Sequence, residues 1–286
     1  MKKIGVIANC GKERAHEVLK CLFEKAQGLG LELFAGEAAA KLLGMNNVVP
    51  KEEMLDNIDA VMALGGDGTM LRAVRELDGR DKPVIGVNIG GLGFMTSVAE
   101  EDLERALQSL ANDDFTMSNR TLAEGVVVRD GCEIVRYRAL NDIVISRGPS
   151  SRVVSLDVSI GKDKVTSYVC DGVVVSTPTG STGHSLSAGG PILTPETSAF
   201  VVSLICPHTL SSRPLVIPDN SEISIIISES AGDLLLSVDG QVGQPLMQSD
   251  SVKIRRSDRD VRFIHLPGYS YFSVLRQKLN WRGSNV

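Results

Sequence analysis

The stretch Ile58-Asp59-Ala60-Val61-Met62-Ala63-Leu64-Gly65-Gly66-Asp67-Gly68-Thr69-Met70-Leu71 decides the fold class. A short, almost wholly apolar run ends in three glycines around one aspartate, and residues 70–77 then read as a helix. An apolar run without alternation, closed by a turn signal, is a strand buried on both faces. The same pattern repeats outward in both directions. Residues 3–8 form a short apolar run, and 13–27 carry Val18, Leu19, Leu22, Phe23 and Ala26 at helical spacing. Residues 31–34 and 83–88 read as strands, 38–43 and 100–110 as helices. Strands alternating with helices predict an α/β N-terminal domain, its parallel sheet covered by helices on both faces.

From about Met117 the pattern changes. Residues 153–160 alternate apolar and polar side chains with period two, and similar β-rich runs occur at 124–128, 143–146, 173–176, 221–228 and 234–238. Asp130-Gly131, Gly161-Lys162-Asp163 and Pro218-Asp219-Asn220 supply turns between them. These features predict an all-β C-terminal domain. Residues 271–279 look helical again, so a C-terminal helix is expected to return to the N-terminal domain. The expected division is 1–116, 117–262 and 263–286.

The bulk properties restrict the function. A formal charge of −5 and 4% aromatic residues argue against a protein that grips a nucleic-acid backbone or stacks its bases. An acidic chain that binds small polyanions needs backbone donors, a few basic side chains or a divalent metal. Five scattered cysteines without a CxxC pair favour reduced thiols over a disulfide framework or a zinc site. Residues 4–8 are too short an apolar run for a signal peptide, and no stretch approaches the length of a membrane span. The expectation is a soluble cytoplasmic protein with no membrane partner.

A Gly-rich turn between a strand and a helix favours an anion, because exposed amides and the helix dipole point at it. Residues 65–69 match neither GxxxxGK(S/T) nor GxGxxG. Asp67 is the informative residue: a carboxylate inside a phosphate cradle repels the phosphate unless it meets an attacking hydroxyl, a cation or both. The plain alternative is a turn whose aspartate caps the helix. Residues Thr177-Pro178-Thr179-Gly180-Ser181-Thr182-Gly183-His184-Ser185 crowd small donors after a strand, suited to ribose or phosphate oxygens, or form a polar surface loop. Asn88-Ile89-Gly90-Gly91-Leu92-Gly93-Phe94 is another Gly-rich turn, and Phe94 offers either a core aromatic or a face for a nucleobase. Asn141-Asp142 is most simply a turn before a strand.

Taken in order along the chain, Gly65 to Thr69, Asn88 to Phe94, Asn141-Asp142, Asp171-Gly172, Thr177 to Pro191 and Asp239-Gly240-Gln241 resemble the NAD kinase family. Cys206-Pro207-His208-Thr209-Leu210-Ser211 and Tyr271-Phe272-Ser273-Val274-Leu275-Arg276 resemble it as well. The resemblance implies transfer of the terminal phosphate of ATP, with Mg²⁺ or another divalent cation held mainly by phosphates, to the 2′-hydroxyl of the adenosine ribose of NAD. It implies that Asp67 orients or deprotonates that hydroxyl and that Gly66, Gly68 and Thr69 lie against phosphates. Asn141 and Asp142 correspond to adenine- and ribose-side contacts, and Asp171 to an acid holding the dinucleotide. Thr182, Gly183, His184, Ser185, Leu186 and Ser187 match the segment around the nucleoside, and Gln241 a late polar contact. Arg152 falls where the family places a basic contact, from a neighbouring subunit in some arrangements. Arg72 could supply positive charge or be an ordinary exposed helix arginine. The family is typically homo-oligomeric, so a homodimer or homotetramer is expected; inorganic polyphosphate is an alternative donor.

Three positions depart from the family's usual pattern. Asp142 stands where Glu is usual, Gly183-His184 where Ala-Tyr is frequent, and Met95 where Leu is frequent. Imidazole stacks with less area than a phenol and can titrate. Two other functions share parts of the pattern. A lipid or sugar kinase can use the Gly-Gly-Asp-Gly cradle, and a non-catalytic dinucleotide sensor would keep the NAD-facing residues without needing Asp67.

Overall fold

In the computed structural model, which describes residues 1–45, 48–91, 93–148, 153–230 and 232–281, contacts divide the chain into two compact units. The first comprises Met1–Asn119 and Val261–Val286, the second Arg120–Asp260. Arg152 lies outside the described residues.

The first unit runs β1 (Lys3–Ala8), α1 (Ala15–Gly28), β2 (Glu32–Ala35), α2 (Glu37–Leu42), α3 (Lys51–Asn57), β3 (Ala60–Gly65), α4 (Asp67–Leu77), β4 (Val84–Asn88), β5 (Val98–Ala99) and α5 (Leu103–Ala111). Strands β2, β1, β3 and β4 pair in parallel in that order; Ile4 lies beside Ala60, and Val61 beside Val84. All six residues of β3 are buried, as the unalternating run requires. One sheet face buries Ile4, Val6, Met62 and Ile85 against α1 and α5, through Val18, Leu19, Leu22, Leu103 and Leu107. On the other face Gly5 lets Met54 and Ile58 approach the sheet, and Gly86 does the same for Met70. Helices therefore cover both faces, as expected. The chain visits β2 on one side of β1 and then crosses to β3 on the other, a reversal that opens the carboxyl ends of the strands.

Two details differ from the sequence reading. The helix after the Gly-rich turn begins at Asp67 itself. Helix α3, with sequence KEEMLDN, was not anticipated, because two buried residues in a seven-residue charged segment leave almost no periodic signal.

The second unit contains β6 (Thr116–Arg129, from residue 120), β7 (Cys132–Ala139), β8 (Asp142–Arg147), β9 (Val154–Ile160), β10 (Asp163–Cys170), β11 (Gly172–Ser176), α6 (His184–Ser187), β12 (Ala199–Ile205), β13 (Leu215–Pro218), β14 (Ile223–Ser230), β15 (Leu234–Val238), β16 (Val242–Leu246) and most of β17 (Ser251–His265). Among the described residues, one antiparallel sheet has the order β13-β12-β11-β8-β15-β16, and another places β10, β9, β14 and β17 side by side. Inward residues of both, among them Ile145, Val173, Phe200, Leu156 and Ile225, share one core. The expected all-β domain is mostly β: a 3-10 turn over Thr179–Thr182 and the four-residue α6 follow β11. Strand β17 escaped notice because its centre, Arg255-Arg256-Ser257-Asp258-Arg259-Asp260, carries hardly any apolar signal.

Beyond residue 260 the chain is back in the first unit. Phe263 pairs with Val84 at the edge of β4, and α7 (Tyr271–Lys278) follows. Ser270 caps α7, its hydroxyl accepting from the Ser273 amide, and Val274 and Leu275 are its buried side chains. No helix among the described residues is long and apolar enough to cross a membrane.

Candidate functional site

In the first unit the site is built around one carboxylate. Gly66 is the N-cap of α4 and Asp67 its first residue. Asp67 does not cap its own helix; its Oδ2 accepts the Phe94 amide at 2.8 Å and its Oδ1 the Met95 amide at 3.0 Å. The loop presenting those amides is fixed by Asn88, whose Nδ2 donates to the Gly91 carbonyl (2.6 Å) and to Thr96 Oγ1 (3.0 Å). Thr96 Oγ1 in turn accepts from the Gly93 amide at 3.1 Å. Gly93 is required here: a Cβ would stand 2.6 Å from Thr96 Oγ1 and 2.7 Å from Asp67 Cγ. Asp67 is half-buried and Gly68 exposed, so the carboxylate is held in place yet reachable. Thr69 is buried, its hydroxyl packed beneath the turn against Gly65 instead of turned outward.

Two other residues of this unit take definite positions. Arg72 is half-buried and donates from Nη2 to the Ala8 carbonyl at 2.7 Å, which removes the ordinary exposed arginine as a reading. The Phe94 ring has Lys278 Nζ, from helix α7, 5.4 Å from its centroid, so a cation stands over one of its faces. Lys12, unmarked by any motif, brings Nζ within 3.6 Å of a Cβ built on Gly90 and adds a cation beside the Gly-rich loop.

The second unit uses the same device. Asp239, in the left-handed conformation at φ 53° in the turn between β15 and β16, accepts the amides of Leu140 (3.0 Å), Asn141 (2.7 Å) and Asp142 (3.2 Å). Thr177 grips the same segment from the other side: Oγ1 donates to the Leu140 carbonyl at 2.5 Å and accepts from the Gly180 amide at 3.2 Å. Gly180 lies so close to Asn141 that a Cβ would stand 2.6 Å from its Cα. Asn141 and Asp142 are thus locked at the start of β8, beside the 3-10 turn. Asn141 Oδ1 and Thr179 Oγ1 are buried there without a hydrogen-bond partner, which native interiors rarely tolerate unless a ligand or water completes them.

His184 opens α6 and places Nδ1 3.1 Å from both oxygens of Asp142. Asp142 is 1% exposed, whereas the His184 side chain is 58% exposed. The Asp142 carboxylate raises the His184 pKa above its ordinary 6.5 through the hydrogen bond and through its charge, against a smaller opposing effect of burial. Burial pushes Asp239 up to about 6, with the Asp142 charge adding to the rise and the three amide hydrogen bonds opposing it. Among the described residues, no group of three or more His, Cys, Asp or Glu side chains is placed to hold a metal ion.

The second unit therefore brings together Asn141, Asp142, Gly183 and His184. Gln241 sits in the same turn as Asp239, and Gly240 lies beside the His184 ring. Thr182 donates back to the Thr179 carbonyl at 3.4 Å. Leu186 is half-buried and Ser187 exposed, while Ser185 is fully buried, its hydroxyl 3.3 Å from Ser203 Oγ. Asp171 does not join this group. It precedes β11, whereas Thr177 follows it, and the six extended steps between them span about 20 Å. There Asp171 pairs with Arg147 at 2.8 Å, which holds its carboxyl below the usual range. Asp239 was read only as part of a motif. Its Asp-Gly dipeptide between two apolar runs is a hairpin signal that located the turn but not the carboxylate's task.

Comparison with known proteins fits this geometry. Residues 4–115 match the ATP-NAD kinase N-terminal domain and residues 140–266 the ATP-NAD kinase C-terminal domain. NAD kinases of Syntrophotalea carbinolica and Gemmatimonas aurantiaca are each 39% identical to this chain over 282 residues, covering 98% of it and 99% and 96% of themselves. The yeast NADH kinase complexed with NADH superposes with a TM-score of 0.90 at 25% identity, covering all of this chain and 89% of its own. An NAD kinase from Archaeoglobus fulgidus, in complex with ATP, shares the fold at a TM-score of 0.76 and 24% identity, over 98% of this chain and all of its own. With both family domains matched in order and relatives aligned almost from end to end, the chain belongs to the NAD kinase family.

Proposed function

We propose that this enzyme transfers the terminal phosphoryl group of ATP to the 2′-hydroxyl of the adenosine ribose of NAD, giving NADP, and that Asp67 is the catalytic residue. The observation that carries the assignment is the Asp67 carboxylate, held by the Phe94 and Met95 amides at the start of α4 while still reachable from solvent. A carboxylate fixed in this way is aimed without losing all its lone pairs. A ribose hydroxyl is too weak an acid to be deprotonated beforehand. Asp67 therefore acts by aligning it and accepting its proton late, as O2′ bonds to the phosphorus and the bond to the departing ADP breaks.

Asn141, Asp142, Gly183, His184, Leu186, Ser187 and Gln241 hold the adenosine side of NAD in this reading; the orphaned Asn141 Oδ1 and Thr179 Oγ1 support it. Gly66 and Gly68 lie along phosphates, while Thr69 and Ser185 shape the backbone from below. Asp171, set apart, and Arg152 would reach a dinucleotide from a neighbouring copy in a homodimer or homotetramer. Mg²⁺ would travel on the ATP phosphates and neutralise charge on the group in transfer. The cytoplasm is the expected compartment.

A coupled assay with NAD, ATP and Mg²⁺ tests the proposal: NADP should form. Binding of NAD without any NADP would indicate a dinucleotide sensor, and phosphorylation of a sugar or lipid in its place would reassign the acceptor.

A further inference from the structure

The second unit holds an open cleft of about 630 Å³ that shares no residue with the Asn141 cluster or the Asp67 loop. It lies over β6, β7 and β17, beside the turn at Asp219 and Asn220 that joins β13 to β14. We infer that this cleft binds a small phosphate-bearing anion with a hydroxylated body, the chemistry of a sugar phosphate.

Strand register gathers the cations. In the β6–β7 pair Arg138 lies opposite Glu124 and Arg136 opposite Val126, so both arginines leave the same face as Glu124. Strand β17 adds Arg255 and Arg256. Glu124 is 4% exposed and forms the floor. Its Oε1 accepts from Arg136 Nη1 at 2.5 Å and from Arg255 Nε and Nη2 at 3.1 and 2.8 Å. Arg138 Nε stands 3.9 Å from its Oε2. One cation is enough to pair a buried carboxylate, so three guanidiniums drawn around Glu124 bring more positive charge than it neutralises.

The arginines are also held so that donors point outward. Asp219, itself buried, fixes Arg256 Nη1 at 2.9 Å, and Asp260 takes Nη2 at 3.1 Å. Glu133 grips the far edge of Arg136 through Nε and Nη2. Among the described residues, nothing hydrogen-bonds to Arg255 Nη1 or Arg256 Nε. Nη1 carries two N–H groups and Nε one, about as many donors as a phosphate monoester has free oxygens. Fixed guanidinium forks match that geometry better than a flexible ammonium does.

The volume lies within the roughly 300–1,000 Å³ of small-molecule sites and leaves room for more than a phosphate. All nine lining residues are polar or charged. A nucleobase or an acyl chain would find no apolar wall there, whereas hydroxyl groups can bond to the Asn220 amide and to Asp258 at the exposed rim.

Arg255 and Asn220 are exposed, and Glu124 keeps Arg136 when Arg255 is shortened, so Arg255→Ala and Asn220→Glu should both fold. Calorimetric titration of the full chain with glucose 6-phosphate should give a Kd below about 1 mM, with no binding of unphosphorylated glucose. Each variant should raise that Kd about tenfold or more, one by removing donors and the other by adding a negative charge. The KM values for ATP and NAD, measured without the sugar phosphate, should match the wild type in both variants. No binding of glucose 6-phosphate to the wild type, equal binding of glucose, or an unchanged Kd in either folded variant would overturn the inference.

Discussion

Asp67 and Asp239 do the same thing in two different units. Each carboxylate leaves its own loop to accept consecutive backbone amides of another, 94–95 in one case and 140–142 in the other. The difference lies in what remains. Asp239 accepts three amides, and burial of its carboxyl pushes it up to about 6, so its hydrogen-bonding capacity is largely spent on structure. Asp67 is half-buried and holds two amides, so it keeps accepting capacity on its open side. One geometry thus serves as a staple where three amides fill it and, in the proposed mechanism, as a proton acceptor where two amides leave it room.

Removing the two acids should separate those roles most clearly. Asp67→Asn should lower kcat by about 10²- to 10⁴-fold, the usual reach of a positioned proton acceptor, with NAD affinity by calorimetry largely retained. Near-normal kcat would end the assignment of Asp67. Asp239→Ala should leave three amides unpaired and cost about 3 kcal/mol or more, seen as a denaturation midpoint lowered by several degrees, together with weaker NAD binding. If its midpoint matched the wild type, the staple would not be one.

Gly93→Ala probes the first device without touching its acid. The added Cβ must displace the Asp67 carboxylate or Thr96, a strain of about 1–3 kcal/mol, so turnover should fall about tenfold while the protein stays folded. Equal activity would mean that the loop gives way without moving Asp67.

The smallest effect concerns pH. The His184–Asp142 pair raises the imidazole above 6.5, so its contribution to stability is complete below pH 6.5 and lost as pH rises through the higher folded value. Asp239, raised from 3.8 to about 6, adds a loss of its own between those values. Thermal midpoints should therefore decline from pH 5 to pH 8, and His184→Tyr should flatten the upper part of that slope. The same variant should hold or improve NAD affinity if the ring serves by stacking. A marked loss would point to a specific imidazole hydrogen bond.

Much of this was readable before any coordinates. The unalternating run at 58–64 announced a two-faced sheet, because only a strand buried on both sides can be apolar throughout. Motif order along the chain singled out Asp67, Asn141, Asp142 and His184 as candidates. What sequence could not supply was how they are held. Phe94 looked like a place for a base because its ring drew attention, while its amide carries the hydrogen bond to Asp67 and Lys278 stands over one face. Thr69 and Ser185 looked like exposed donors, yet both are buried, since a small hydroxyl residue fits under a tight turn as readily as on top of one. Asp171 was assigned to hold the dinucleotide because the family resemblance places an acid there, between Asn141-Asp142 and the Thr177 to Pro191 segment. One strand length separates it from them, and strand length does not appear in a motif list.

The division of the chain has a further consequence for biosynthesis. Residues 120–260 form an uninterrupted unit, whereas the first unit lacks Phe263, the partner of Val84, until the last part of the chain has emerged. A nascent chain released from the ribosome vectorially can complete its second unit while the first still has an open strand edge at β4. The part that carries Asp67 is begun first and finished last, so premature termination after residue 260 would leave the α/β half, not the β-rich half, as the aggregation hazard.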